Sequence, residues 1–500
     1  MSSAGATPPM GSDTPGPMNV TDPNARVKRA AHERDSVTPT ITATTTNLTA
    51  TPQTTTVPAK AHVAAPTSSF IDGSLRRNFS WTFIGNVAYS ACQAGILMVL
   101  AKLGNPEMVG KYGLALAIAT PVLAFSSLQL RAVLTTDVKE KIPFGEYLGF
   151  RLTTTLLSLL VISGIAVFSK RESMLVIIIV GISQGIEMVV DLYWGRMQFV
   201  DNMDRIAKSQ ILRGVLGLVA MAAGVYLTHG LILGVSGLAA ARLAVLLFYD
   251  ITKRAQLMPR EALDDAEKQA ILSAGTGTLR PRWSPAAQSE LLRTSITLGV
   301  IAMLVSLLPM IPRYFLVGSM GERALGMFTA TAFLVSTGNL FMTAMGQATF
   351  VRLAKLFGAG DVAGFNRLLV RLLGFALLLG LGGVGVALIA GKFLLTLLYR
   401  PEYAEHTDLL VAMMVAGALT YVAAMLASAV TSARSFKPQI PVLTAAASAG
   451  VISSYFLIHA YGLLGAGLAV VTTSAVLCTG HAILLLRVRK SMMATAANAA

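Results

Sequence analysis

One helical face carries much of the chemistry in this chain. Gln184, Glu187, Asp191, Trp194 and Gln198 follow one another at steps of three, four, three and four. At about 100° per residue, all five fall within about 80° of a single helix face. The stripe begins about two turns deep in an apolar run and continues out of it. Ionisable groups in such a run are costly, and they line a wet cavity or pair with a partner. Two chemistries fit. Glu187 can take up and release a proton in a cavity that the stripe lines. Alternatively, Glu187 and Asp191 pair with Arg213 or Arg242 and hold helices together. Asp191 lies nearer the end of the run, where pairing is the simpler expectation.

Other polar residues sit in apolar surroundings. Arg242 lies about two turns inside its run, where it either snorkels to the surface or reaches a central cavity. Asn86, Gln93, Asn339 and Gln347 are suited to hydrogen-bond sugar hydroxyls, or to bridge neighbouring helices, which is the commoner use. Arg77, Arg131, Arg151 and Arg213 sit at the ends of runs, where anchoring is the first expectation. Together they would draw an anionic headgroup to that mouth. Gly181-Ile-Ser-Gln-Gly185 has the spacing of close helix packing. Pro121, Pro309 and Pro312 can each kink a helix.

Several chemistries are absent. There is no G-x-x-x-x-G-K-[ST], no H-E-x-x-H and no C-x-x-C. Gly391-Lys392 continues into Phe393, so P-loop nucleotide hydrolysis is excluded. No Asp-x-Asp stands ready to hold a metal-bound nucleotide sugar. Cys92 and Cys478 lie in apolar runs and imply neither a disulfide framework nor a metal site. No cofactor is expected, and the chain does not read as an enzyme.

The elements that must position these residues are membrane helices. The chain has 500 residues, 54% hydrophobic and 13% charged; soluble domains carry about 25% charged residues. Apolar runs of about 20 residues, enough to cross ~30 Å of hydrocarbon, recur from Phe79 onward. Twelve spans are expected, at 79–101, 112–130, 148–168, 174–194, 210–227, 230–249, 294–315, 325–350, 368–391, 407–430, 439–458 and 463–486. Alternate connecting segments, with the span ends beside them, hold 26 and 8 of the Lys and Arg residues. The richer set includes Arg76, Arg131, Arg205, Lys253, Arg352, Arg434 and Arg487. By the positive-inside rule both termini face the cytoplasm. The net charge of +15 is accounted for by these loops, and no nucleic-acid partner is inferred.

The expected organisation has five parts. Residues 1–70, rich in Thr, Pro and Ala, cannot bury a core and form a disordered cytoplasmic tail. They lack the apolar stretch of a secretory signal. Residues 75–250 hold spans 1–6. Residues 251–292 form a cytoplasmic linker, with a possible surface helix from Pro259. Residues 293–487 hold spans 7–12, and 488–500 form a second cytoplasmic tail. A shift of about 216 positions superposes the halves faintly: Leu100 on Leu316, Gly110 on Gly326, Tyr112 on Phe328, Thr120 on Ser336 and Phe125 on Phe341. Halves of six spans share one orientation and are related by an axis along the membrane normal.

Four stretches carry a family likeness. They are "RRNFSWTFIGNVAYSACQAGILMVLAKLGNPEMVGKYGLALAIATPVLAF", "DLYWGRMQFVDNMDRIAKSQILRG", "IPRYFLVGSMGERALGMFTATAFL" and "LYRPEYAEHTDLL". Over about Leu75 to Arg489 the chain resembles the polysaccharide-transporter-type oligosaccharide flippases. Their superfamily also holds multidrug-extrusion antiporters and peptidoglycan-precursor flippases. The resemblance implies an all-α polytopic membrane protein of two pseudo-symmetric six-helix lobes around a central cavity. It implies residence in the cell inner membrane and alternating-access transport of a polyprenyl-pyrophosphate-linked oligosaccharide. That cargo would feed lipopolysaccharide, exopolysaccharide or other surface polysaccharide assembly. Membrane lipids and a polysaccharide polymerase or export machinery are the partners it implies. A cation-coupled small-molecule antiporter is the alternative. Arg313 falls within the third stretch. It either faces the cleft between lobes, contacting cargo or closing a gate with Glu322, or it snorkels outward with Tyr314 as an interfacial anchor.

Overall fold

The computed structural model describes residues 68–137, 142–199, 202–251, 280–433 and 435–499. The surface helix expected at Pro259 and most of the expected disordered tail lie outside these residues, but residues 68–70 of that tail already belong to the first helix, and the expected C-terminal tail from 488 continues the last helix to Ala499. Every described element is helical, as the long apolar runs require, because a helix satisfies its own backbone groups in hydrocarbon. The first half comprises α1 (Ser68–Leu103), α2 (Pro106–Ser127), α3 (Leu130–Thr136), α4 (Phe144–Ala166), α5 (Arg171–Phe199), α6 (Met203–Thr228) and α7 (Leu231–Val245). A wide π turn, Leu246–Asp250, closes α7. The second half comprises α8 (Pro285–Leu307), α9 (Ile311–Ser319), α10 (Gly321–Gly358), α11 (Val362–Leu398), α12 (Thr407–Ser432) and α13 (Gln439–Ala499).

Among the described residues, eleven helical segments are long and apolar enough to cross a membrane. The last, Gln439–Lys490, has 52 residues, about 78 Å at 1.5 Å per residue, which is two crossings. It folds back at Gly462, whose φ of 56° and ψ of −128° are not helical. Gly450 then packs on Thr473 and Gly480 on Val442, so the two arms run antiparallel. The twelve expected passes are therefore all present.

Local signals set the boundaries. α2 starts where Asn105 caps it, accepting from the Met108 N–H at 2.9 Å. Pro106 and Glu107 follow in the first turn, as helix starts favour. α11 starts the same way, with Asp361 accepting from Gly364 N–H at 2.8 Å. Between α8 and α9 the chain tightens into a 3-10 turn at Leu308–Met310. Pro309 cannot donate the bond that a continuous helix needs there, so span 7 is bent at the proline that was expected to kink it.

α8 begins at Pro285, earlier than the expected linker boundary at 292. The residues before it form a strap across α4. Arg282 N–H donates to the Gly145 carbonyl at 2.9 Å. Trp283 Nε1 donates to the Gly149 carbonyl at 3.1 Å, and Ser284 N–H to Glu146 Oε2 at 2.8 Å. A Cβ at Gly149 would stand on the Arg282 carbonyl, so only glycine admits the strap. The Gly181/Gly185 pair also packs closely, receiving Ile162 and Thr155 of α4.

Candidate functional site

The two halves meet along a seam between α2 and α10. A Cβ at Gly110 would fall on the Glu322 carbonyl, and one at Gly326 on the Pro106 carbonyl. Gly113 lies against Thr329. Pro106 and Glu322, Gly110 and Gly326, and Gly113 and Thr329 are each 216 positions apart. The seam is thus the place where the repeat crosses itself, and each contact is exchanged into another by the same shift. Leu100 and Leu316 are both fully buried, and Tyr112 and Phe328 nearly so.

Further bonds close the seam. Ser173 donates to Glu322 Oε1 at 2.6 Å. Lys102 Nζ donates to the Leu397 carbonyl at 2.7 Å, and Arg400 Nη2 to the Lys102 carbonyl at 3.0 Å. Beyond the seam lies a pocket of about 530 Å³ lined by Glu107, Lys170, Glu322 and Arg323 among others. On the other side of the seam, α10 continues with Ser336, Thr337, Asn339, Thr343 and Gln347 exposed. The Ser336, Thr337 and Thr343 hydroxyls bond carbonyls of their own helix, but the exposed amides of Asn339 and Gln347 are costly in hydrocarbon and point to a wet cleft beside this part of α10.

The polar stripe of α5 lies in the first half, and the structure partners each of its members. Gln184 Oε1 accepts from Arg242 Nη1 at 3.4 Å. Glu187 accepts from Arg213 Nη1 at 2.9 Å and from Tyr89 at 3.1 Å, and it pairs with Arg242 Nε at 3.1 Å. Asp191 pairs with Arg131 at 3.0 Å, and Gln198 accepts from the same guanidinium at 2.9 Å. Trp194 donates to Ser209 and lies beneath Arg131 and Arg213. Both arms of the pairing expectation for Glu187 are therefore occupied at once.

Arg213 also holds Asp250 at 2.6 Å, and both side chains are 0% exposed. The resulting group of two guanidiniums and two carboxylates balances its charges. It spans α5, α6, α7 and the π turn, with Tyr89 of α1 at its edge. Gln93 donates to the Tyr89 hydroxyl at 2.8 Å. Asn86 accepts from Gln210 at 2.9 Å, an α1–α6 bridge.

Several placements differ from expectation. Asp191 pairs with neither Arg213 nor Arg242 but with Arg131, which was expected only as an end anchor. Arg213 and Arg151 are not end anchors: they are 1% and 0% exposed. Arg213 is drawn in by Glu187 and Asp250. The Arg151 nitrogens have no hydrogen-bond partner among the described residues. Arg242 neither snorkels nor lines an open cavity; Ser183, Glu187 and Gln184 hold it in the core. Arg313 does not pair with Glu322, whose carboxylate accepts from Ser173 instead. It does not snorkel either: it is 8% exposed, and its Nη1 donates to the Gly113 carbonyl at 3.5 Å. Tyr314 is no interfacial anchor, since its hydroxyl donates to the Ala117 carbonyl within the seam.

Asp250 and Tyr89 escaped the sequence reading. Asp250 follows Arg242 by eight residues, close to one helix face, but it stands where an apolar run gives way to a loop. The π turn aims it inward, and no pattern in the sequence announces such a turn. Among the described residues no group of three or more His, Cys, Asp or Glu is placed to hold a metal.

No family model matches the chain. It is 24% identical over 394 residues to a capsular polysaccharide biosynthesis protein, CapF, of Staphylococcus aureus, covering 79% of this chain and 95% of the relative. Its fold is that of solved MATE-type transporters of the MOP superfamily. An inward-facing multidrug resistance MATE transporter superposes with a TM-score of 0.65 at 16% identity, over 83% of this chain and 96% of that one. An outward-facing form gives 0.58 at 15% identity, over 84% and 96%. A MOP superfamily transporter from Pyrococcus furiosus, described as having a binding pocket of reverse polarity, gives 0.57 at 15%, over the same shares.

Proposed function

We propose that this polytopic membrane protein, built on the MATE-like fold, is a flippase of the polysaccharide-transporter type. Its cargo is a polyprenyl-pyrophosphate-linked oligosaccharide, and it carries the glycan across the cytoplasmic membrane by alternating access. The observation that carries this reading is the contrast along α10. Its first part is sealed against α2 through glycines, and its later part leaves Asn339, Thr343 and Gln347 exposed, as the wall of a wet cleft would. A polar glycan needs such a path, whereas a polyprenyl tail can remain in lipid. The basic loops lie at the cleft end, which the positive-inside rule assigns to the cytoplasm. The name of the staphylococcal relative supports a polysaccharide cargo.

Transport rather than catalysis is the reading that the fold supports. The test is the leaflet location of lipid-linked oligosaccharide in cells depleted of this protein, read with a membrane-impermeant glycan probe. The expected result is loss of label outside and accumulation within. An unchanged distribution overturns the cargo assignment.

A second reading, a cation-coupled small-molecule antiporter, has one observation in its favour. Glu187 and Asp250 are carboxylates buried in a transporter fold, and protonation of either would unbalance the group around them. Its discriminator is a deletion strain that becomes drug-sensitive while its surface polysaccharide stays intact.

A further inference from the structure

Apart from Arg151 of α4, whose nitrogens are also unpartnered but which lies outside the α2–α10 seam, three buried arginines divide into two kinds. Arg213 and Arg242 are met by Glu187 and Asp250, so their charge is already balanced and they offer little to an incoming anion. Among the described residues, Arg313 is met by no carboxylate. Its one hydrogen bond, to the Gly113 carbonyl, is long at 3.5 Å, and its Nε has no partner. Thr329, 2% exposed, has a hydroxyl that is likewise unpartnered. That hydroxyl fills the space where a Gly113 side chain would stand. Gly113 therefore touches two buried groups that still have hydrogen-bonding capacity, one of them a full positive charge.

Both groups lie where the seam gives way to the cleft. Ser336, the first exposed hydroxyl of α10, is seven residues beyond Thr329, or about 10 Å along the helix. A guanidinium taken out of water without a counter-ion is strongly penalised. The penalty exists only while the seam is closed around it. In the first half the position 216 residues earlier is Leu97, an apolar core residue. The repeat therefore places a single unbalanced charge at its crossing point, on one side.

We propose that Arg313 and Thr329 form a latent anion site that the diphosphate of a lipid-linked cargo draws out of the seam, so that headgroup binding itself opens the sealed end. This rests on the flippase reading above. A diphosphate offers paired oxygens that match the guanidinium fork, and the Thr329 hydroxyl supplies a further donor. Binding exchanges an unpaired buried cation for a paired one and removes the contacts that Arg313 of α9 and Thr329 of α10 make with Gly113 of α2. The ligand thus binds the parted state better than the sealed one, which is the condition for shifting the population.

The test uses the full chain in lipid nanodiscs, with Cys92 and Cys478 replaced by Ser. Spin labels are placed at Phe168→Cys and Glu405→Cys, exposed positions on the two halves. Farnesyl pyrophosphate is the probe, and inorganic pyrophosphate is the tail-free control. With Arg313 present, the probe should bind and lengthen the distance between the labels. Arg313→Gln should bind it about 10- to 100-fold more weakly, as loss of a charge-assisted hydrogen bond implies, and the distance should not change. Arg313→Lys, which keeps the charge, should recover part of both responses and rules out a folding defect. Inorganic pyrophosphate should compete; if it does not, the tail rather than the anion is recognised and the inference fails. If Arg313→Gln binds and opens as the parent does, the inference fails while the flippase reading stands. If the parent does not bind farnesyl pyrophosphate at all, both fail.

Discussion

The two halves share a backbone plan and differ in what they bury. Among the described residues, the first half encloses Glu146, Arg151, Arg196, Arg213, Arg242 and Asp250. The second encloses Thr331, Ser432, Ser454, Thr473, Ser474 and other neutral or weakly basic groups, with Arg313 its one buried arginine. The difference teaches that pseudo-symmetry is enforced where backbones touch and relaxed elsewhere. At the seam, glycine is dictated on both sides because each helix occupies the other's Cβ space. Within each half, any interior that satisfies its polar groups will serve. One half does so mainly with balanced ion pairs, Arg151 excepted, and the other mainly with hydroxyls bonded to their own helix, as Thr420 bonds the Ala416 carbonyl at 2.8 Å, with Thr329 and Ser454 excepted.

The comparison breaks most readily in the charged half. Arg213→Met should cost about 3–5 kcal/mol, because it strands the buried Asp250 carboxylate. Replacing Asp250 by Leu in the same chain, which leaves Arg242 paired with Glu187, should restore most of the loss. Thermal unfolding of the purified protein reads both effects; an undisturbed single variant would mean that the ion group does not hold this half together.

The seam comes next. Gly110→Leu sets a side chain against the Glu322 backbone, a clash that no rotamer relieves. Overpacking of about 1–3 kcal/mol should raise the population of the parted state roughly tenfold or more. The Phe168–Glu405 label distance should lengthen without any ligand, and an unaltered distance would show that the seam is not tight.

The neutral half should respond less. Tyr421→Phe removes the hydroxyl that donates to the Val335 carbonyl at 2.6 Å and should lower stability by about 1 kcal/mol. A loss as large as that of Arg213→Met would erase the contrast between the halves. The smallest effect belongs to Arg323→Ala. Its pair with Glu402 at 2.8 Å is largely exposed on the arginine side, and such pairs contribute about 0–1 kcal/mol. The unfolding temperature should barely move.

The sequence made the helices legible because the bilayer imposes their length and polarity. It also carried the repeat, since Gly110 and Gly326 had to align for the backbones to cross. The α5 stripe was readable from its spacing, and so were the two arginines that meet Glu187. What escaped depended on tertiary geometry. Asp250 needed a π turn to face inward. Arg313 resembled a surface arginine because it follows a proline at the end of an apolar run, yet α2 covers it. The Arg280–Ser284 strap lay in a stretch of linker composition, and its partner glycines, Gly145 and Gly149, sit on a helix far away in the chain.

The central claim is that this chain turns a lipid-linked glycan across the membrane through the cleft below the seam. The most direct measurement is translocation of a lipid-linked oligosaccharide into the lumen-facing leaflet of inverted vesicles holding the purified, folded protein. The account predicts movement that depends on the protein and is abolished when the two sides of the seam are cross-linked. Absence of movement for every lipid-linked glycan offered, with the protein still folded, would contradict it.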